Sequence, residues 1–223
     1  MMSAVSFSKT IGIIGGAGPM ASSYLYRTIL DICQREYGSN DYHEFPQIIL
    51  ISYPFTRGNP EKIRADLALC FEKLKNAGAS VVGLASNSFH GYLPDLINIE
   101  FVHLVNESVK KAKSMGISKA LILSAQKTID LKLYEMGGLD CVYPAKKDQD
   151  AINDIIHDIA SGIVCPEQAD TLKKIISSAD SVEGVILACT ELPLVNQAFP
   201  LSDNLPVIDT SRVLAAKLIE LVV

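Results

Sequence analysis

Residues 184–194 read Gly-Val-Ile-Leu-Ala-Cys-Thr-Glu-Leu-Pro-Leu. The apolar run that follows Gly184 predicts a buried parallel strand, because such strands are covered on both faces. Cys189 falls where this strand should end and a helix should begin. Ligands of open α/β sheets bind at the carboxyl ends of the strands, so Cys189 is a candidate site residue.

A second stretch, Ser80–Pro94, has the same form about a hundred residues earlier: Ser-Val-Val-Gly-Leu-Ala-Ser-Asn-Ser-Phe-His-Gly-Tyr-Leu-Pro. When the two stretches are aligned on their Leu-Ala pairs, Ser86 falls opposite Cys189 and Asn87 opposite Thr190. We predict that the two stretches form the two halves of one site.

The composition excludes several classes of function. The chain has 223 residues, a hydrophobic fraction of 48% and a net charge of −5 with 20 Lys and Arg, which makes nucleic acid a poor candidate partner. The first ten residues carry no basic region, and the apolar run at 11–14 is too short for a signal peptide or a membrane span. We therefore predict a cytoplasmic protein with no membrane partner.

Five cysteines are scattered along the chain without a Cys-x-x-Cys pair. An odd number without paired spacing argues against a disulfide framework and against a zinc site, so we predict no metal. Four of the five are expected to be small buried apolar residues.

Alternating strands and helices predict an α/β fold. The expected strands cover 11–14, 47–53, a strand ahead of Ser86, 101–104, 119–126, 139–143, a strand ahead of Cys189 and 206–209. The expected helices cover 21–37, 61–77, 106–115, 128–136, 148–159, 166–178 and 210–221. The order of elements repeats, which predicts two pseudo-symmetric Rossmann-like domains, each a mainly parallel sheet flanked by helices, with the site in the cleft between them. We place the first domain at 1–104 plus 206–223 and the second at 105–205.

The glycine-rich turn after the first strand carries Gly16, Ala17 and Gly18, followed by Pro19 at the start of a helix. Backbone N–H groups at such a turn favour an anion. The turn also matches the G-x-G-x-x-A dinucleotide pattern, but the next strand ends in Tyr53-Pro-Phe-Thr-Arg57 without the carboxylate that would hold a ribose.

A thiol just ahead of a helix N-terminus feels the positive end of the helix dipole, so we expect the thiolate of Cys189 to be favoured. Two acid/base groups that face each other across a cleft can remove a proton from one side of a carbon and deliver one to the other. Such a pair inverts a stereocentre without a cofactor.

These motifs resemble the aspartate/glutamate racemase family over nearly the whole chain. The similarity lies in Gly-Gly-Ala-Gly-Pro at 15–19, Ser-Asn-Ser-Phe-His at 86–90 and Ala-Cys-Thr-Glu-Leu-Pro at 188–193, and the Cys-Thr-Glu form is closer to the aspartate racemase branch. The resemblance implies a homodimer and racemisation of a small acidic amino acid, aspartate or glutamate, by two cysteines and without pyridoxal phosphate.

The chain departs from the family pattern at the first cysteine, where it has Ser86. A serine hydroxyl is far less acidic than a thiol and is a poor general base. Three interpretations follow: a natural single-thiol member, a relative that uses one cysteine for different chemistry such as a lyase or decarboxylase, or an engineered cysteine-to-serine replacement. A non-catalytic binding relative is a further alternative.

The resemblance also implies roles for residues around the pair. Asn87, Ser88 and Thr190 would hold the α-carboxylate and Thr128 would bind a substrate carboxylate, although such residues also cap helices. Arg57 would recognise a side-chain carboxylate. His90 and Glu191 are expected to support Ser86 and Cys189 respectively. The positions of the other three histidines in the sequence indicate no role in the site. Ser161 stands where aspartate racemases often carry a lysine, so one cation expected for an acidic side chain is missing.

Overall fold

Two four-stranded parallel sheets form the framework of the protein, seen in a computed structural model that describes residues 6–56 and 58–223. The strands are β1 (Ile11–Gly15), β2 (Ile48–Ser52), β3 (Val81–Leu84), β4 (Glu100–Val102), β5 (Lys119–Leu123), β6 (Asp140–Val142), β7 (Gly184–Leu187) and β8 (Val207–Asp209). The helices are α1 (Pro19–Tyr37), α2 (Pro60–Asn76), α3 (Leu104–Ser114), α4 (Gln126–Asp130), α5 (Lys146–Ala160), α6 (Pro166–Ser178), α7 (Leu192–Ala198) and α8 (Thr210–Glu220). The predicted α/β class with two similar parallel sheets is confirmed.

The two sheets have the same strand order, β2-β1-β3-β4 and β6-β5-β7-β8. In the first sheet the chain runs from β1 to the edge strand β2 and then crosses to β3, which lies on the other side of β1. Strands β5, β6 and β7 follow the same path in the second sheet. The gap between the loops that follow these two neighbouring strands is where open α/β sheets bind ligands. It lies after β1 and β3 in the first sheet and after β5 and β7 in the second.

The core has three layers of apolar contacts, which follow from the alternation of side chains along each strand. The central layer lies between the sheets and contains Ile13 of β1, Ile186 of β7 and the inner faces of α1, α3 and α8. Ile14 of β1 points the other way and packs with α2. Leu187 of β7 packs with α5, α6 and α7.

The last two elements connect the halves of the molecule. Strand β8 pairs with β7 in the second sheet, whereas α8 packs against α1 and α3. The predicted contact of the terminal helix with the first half is therefore present, while the position of the domain boundary stays a prediction.

One predicted helix is shorter than expected. The sequence predicts a helix over 128–136, but α4 ends at Asp130 and Lys132 has a positive φ of 51°. The turn directs Tyr134 into the core, where 1% of its surface is exposed. Tertiary packing thus overrides the local helical pattern.

Across residues 6–56 and 58–223, no helix combines the length and the apolar character that a membrane span requires.

Candidate active site

A cavity of about 320 Å³ lies at the ends of four strands, one pair from each sheet. Its walls come from the loops after β1, β3, β5 and β7 and from one face of α5. The lining residues from the loops are Ala17, Gly18, Ser86, Asn87, Ser88, Phe89, Ala125, Thr128, Ala188, Cys189, Thr190 and Glu191. The volume suits a small metabolite.

Ser86 and Cys189 line this one cavity, and the backbones that carry them are equivalent. The N–H of Ala85 donates to the carbonyl of Ile14 at 2.9 Å, and the N–H of Ala188 donates to the carbonyl of Leu123 at 2.7 Å. The two side chains therefore occupy matching positions at the ends of β3 and β7.

Glu191 sets the environment of the thiol. The Cys189 Sγ donates to Glu191 Oε2 at 3.0 Å, and the Thr190 hydroxyl donates to the same oxygen at 3.3 Å. Burial raises the pKa of the Cys189 thiol well above its ordinary value, and the charge and the hydrogen bond of Glu191 raise it further. Backbone hydrogen bonds from Glu191 and Ala125 act in the opposite direction.

The expected preference for a thiolate at Cys189 is therefore wrong for the ligand-free protein. The helix that follows, α7, begins three residues later and has only seven residues. Its dipole is outweighed by burial and by the neighbouring carboxylate.

Glu191 also reaches across to the glycine-rich turn. A methyl group built on Gly18 would overlap the Glu191 carboxylate, so an alanine at this position would displace that side chain. A carboxylate therefore lies against this turn, which disfavours a second negatively charged group such as a dinucleotide pyrophosphate. Ala17 and Gly18 line the cavity, whereas Gly16 donates its N–H to Ser22 Oγ at 3.0 Å.

His90 supports the backbone of Ser86 from outside the cavity. Its Nδ1 lies 2.7 Å from the Ser86 carbonyl, and its Nε2 accepts from the Leu104 N–H at 3.1 Å. This pairing requires the neutral tautomer with the proton on Nδ1. Burial, together with the neighbouring His103, lowers the pKa of His90 to about 3, so it stays neutral.

The side chains of Asn87, Thr128 and Thr190 do not cap helices. Asn87 and Thr190 hydrogen-bond elsewhere, and Thr128 lies inside α4 after an N-cap at Ala125. Ser88 lines the same wall. Arg57 lies outside the described residues.

The contribution of α5 to the cavity was not predicted from the sequence. Asn153, Ile156, His157 and Ala160 line the cavity at the spacing of one helical face. The only sequence feature that pointed to these residues was their 3–4 spacing, which places them on a helical face beside the buried face of α5. Among the lining residues that the structure describes there is no lysine or arginine, and Glu191 is the single carboxylate. The described part of the chain also has no group of three or more His, Cys, Asp or Glu side chains arranged for a metal ion.

Comparison with known proteins gives the family of this chain. The family model described as Asp/Glu/Hydantoin racemase matches residues 14–218. A broad-specificity amino-acid racemase of Bacillus subtilis (strain 168) is 27% identical, over 92% of this chain and 94% of the relative.

Solved structures show the same architecture. An aspartate racemase homologue from Pyrococcus horikoshii OT3 superposes with a TM-score of 0.78 at 27% identity, covering 96% of this chain and 99% of that one. A glutamate racemase isoform from Bacillus anthracis gives a TM-score of 0.70 at 15% identity, covering 96% of this chain and 81% of that one, which is a likeness of fold. The family match spans nearly all of the chain, including the strand ends that carry Ser86 and Cys189. This chain belongs to the Asp/Glu/hydantoin racemase family of isomerases.

Proposed function

We propose that this protein racemises a small amino acid without a cofactor, with Cys189 and Ser86 acting on opposite faces of the α-carbon. The observation that carries the proposal is that both side chains line one cavity of metabolite size from equivalent strand ends. A carbon held between them would be within reach of both groups, which is what a two-base proton transfer requires.

The α-proton of an amino acid is weakly acidic, so the charge that develops during its removal must be stabilised. The side chains of Asn87, Ser88 and Thr128 and the backbone N–H of Thr190 would donate hydrogen bonds to the α-carboxylate, where that charge accumulates. The N–H groups of the turn at Ala17 and Gly18 would add to this.

A raised pKa makes the Cys189 thiolate rarer but, once formed, more basic. The ammonium group of a bound amino acid would bring a positive charge next to Cys189 and Glu191. An opposite charge favours the ionised thiol, so substrate binding would generate the base that the reaction needs. The displaced thiol proton would be released to solvent, and the charge of the bound ammonium group would replace it beside the sulfur.

We propose aspartate or glutamate as the first substrates to test, with Arg57 as the partner of the side-chain carboxylate. Two observations favour a second candidate, a wider set of neutral amino acids. The described walls carry Asn153, Ile156 and His157 and no lysine or arginine. The Bacillus subtilis relative is described as having broad specificity.

The test compares the unchanged protein with Ser86→Cys, Ser86→Ala and Cys189→Ala on a panel of L- and D-amino acids, read by chiral chromatography. Because a thiol is the better acid and base, Ser86→Cys should raise racemisation at least about tenfold. Ser86→Ala should abolish racemisation, and Cys189→Ala should abolish it as well. Cys165→Ala, outside the cavity lining, is the matched control.

The proposal fails if no amino acid of the panel changes configuration in the unchanged protein or in Ser86→Cys. It also fails if Cys189→Ala is as active as Cys165→Ala.

A further inference from the structure

A chain of hydrogen bonds behind the cavity connects the two strand ends that carry Ser86 and Cys189. The Tyr134 hydroxyl donates to Asn87 Oδ1 at 2.6 Å, and Asn87 Nδ2 donates to Thr210 Oγ1 at 3.3 Å. Thr210 in turn donates to the Leu187 carbonyl at 2.9 Å. The three side chains are at most 3% exposed, so water does not compete with these bonds.

Each hydrogen bond in this series can have only one donor and one acceptor. The Leu187 carbonyl can only accept, so the single proton of the Thr210 hydroxyl is used there. Thr210 must then accept from Asn87, which requires the NH₂ end of the amide on that side. If the amide were flipped, Asn87 Oδ1 would face an oxygen that has no proton left to give.

Tyr134 fixes the other end of the amide. Burial raises the pKa of Tyr134 far above its ordinary value, so the hydroxyl remains a donor. The amide oxygen of Asn87 accepts that proton, and one N–H goes to Thr210. The second N–H of Asn87 has no hydrogen-bond partner within the described residues, and Asn87 lines the cavity.

We propose that Tyr134 and Thr210 are positioning residues that fix the orientation of the Asn87 amide, so that Asn87 donates a hydrogen bond to the α-carboxylate of the substrate. We call the hydrogen bonds from Tyr134 to Asn87 and from Asn87 to Thr210 the lock. The same bonds join the turn after β3 to the end of β7, so they also hold the two reacting side chains at a constant separation. This inference rests on the proposed racemase function. It does not depend on whether the residue at position 86 is serine or cysteine.

The lock matters most in the transition state, because negative charge accumulates on the carboxylate as the α-proton leaves. A rotated amide would present an oxygen to that charge instead of a donor. Since displacements of about 1 Å can cost on the order of 100-fold in rate, Tyr134→Phe should lower kcat by roughly 10- to 100-fold. KM should change by less than about threefold, because the ground-state carboxylate keeps its other donors.

The kinetic experiment uses variants that separate the hydroxyl from the shape of the side chain. Thr210→Val removes the hydroxyl and should reduce kcat as Tyr134→Phe does, whereas Thr210→Ser keeps it and should retain kcat within about twofold of the unchanged protein. The two losses should not add in the Tyr134→Phe/Thr210→Val double variant, because both break the same lock. Tyr92→Phe, which removes a hydroxyl from another buried tyrosine, is the control for packing.

A second measurement reports the lock without turnover. The Asn87 side-chain amide proton that is bonded to Thr210, assigned in ¹⁵N spectra by comparison with Asn87→Ser, should exchange slowly with solvent in the unchanged protein and in Thr210→Ser. It should exchange at least about tenfold faster in Tyr134→Phe and Thr210→Val, because a buried amide proton is protected by its partners.

The inference is overturned if Tyr134→Phe and Thr210→Val keep kcat within twofold, or if Asn87 is no less protected in them. It is also overturned if Thr210→Ser loses as much kcat as Thr210→Val, since the hydroxyl would then be irrelevant. Should the unchanged protein racemise no amino acid, the proposed function fails, and the amide exchange still decides whether the lock exists.

Discussion

At the scale of single residues, burial and the Glu191 carboxylate together raise the pKa of Cys189. The carboxylate accepts the thiol hydrogen at 3.0 Å inside a site where both side chains are 8% exposed. In such surroundings a neighbouring negative charge favours the neutral thiol. Burial and Glu191 therefore both favour the protonated form of Cys189.

Replacing Glu191 with glutamine should make Cys189 react at lower pH. The substitution removes the charge that helps to raise the thiol pKa, so the thiolate forms earlier as the pH rises. The rate of alkylation of Cys189 by iodoacetamide, followed by peptide mass spectrometry between pH 6 and 10, should shift to lower pH. Thr190→Val, which keeps the charge, is the control. An unchanged profile, or a shift to higher pH, would show that Glu191 does not govern the thiol.

Single residues also show where sequence reasoning was insufficient. The alignment of the two Leu-Ala pairs predicted a shared site, and Ser86 and Cys189 both line one cavity, whereas their catalytic roles stay predictions. The charge of Cys189 could not be predicted, because the sequence does not show that the side chain of Glu191 turns back onto the sulfur. The other candidate roles of the lining residues stay predictions until they are tested.

At the scale of elements, α8 connects the end of β8 to both halves of the protein. Asp209 caps this helix, with Oδ1 accepting from the N–H groups of Ser211 and Arg212 at 2.8 and 3.1 Å. Its other oxygen accepts from the Tyr24 hydroxyl of α1 at 2.7 Å. The first residue of α8 is Thr210, which is part of the hydrogen-bond chain behind the cavity.

Asp209→Ala should reduce both stability and turnover. Loss of the cap should cost about 1–2 kcal/mol of unfolding free energy, with roughly 1 kcal/mol more because Tyr24 loses its partner. The kcat should fall as well, since the start of α8 would be less well held. Urea unfolding and steady-state kinetics measure the two effects.

Asn59→Ala is the matched control for this prediction. Asn59 caps α2 through the Lys62 N–H at 3.0 Å and does not line the cavity. Its loss should cost a comparable cap energy and leave kcat unchanged. Equal losses of kcat in the two variants would contradict a specific role for the start of α8.

Elements with a clear period were predictable from the sequence, and those fixed by tertiary contacts were not. Helix α6 begins at Pro166 and ends at Ser178, as the apolar spacing predicted. Helix α4 is interrupted because Tyr134 enters the core and donates to Asn87, a partner 47 residues away. No local pattern could reveal that contact.

At the scale of the whole molecule, the two sheets repeat one topology and place the four loops at their switch points around a single cavity. The internal repeat made this arrangement predictable, because equivalent strands end in equivalent loops. The face that α5 contributes was not predictable, since it depends on how the two halves close around the cavity. The homodimer implied by the family stays a prediction.

The central claim is that two side chains exchange protons at opposite faces of one α-carbon, and proton exchange in heavy water tests it most directly. Each L-amino acid of the panel is incubated in D₂O with the unchanged protein, Ser86→Ala or Cys189→Ala, and the product is resolved by chiral chromatography and mass spectrometry. We expect the unchanged protein to yield the D-isomer with one deuterium at Cα. Neither Ser86→Ala nor Cys189→Ala should yield the D-isomer, because each variant lacks the group that serves one face of the carbon. Inversion without deuterium incorporation, or inversion that persists in Cys189→Ala, would contradict the account.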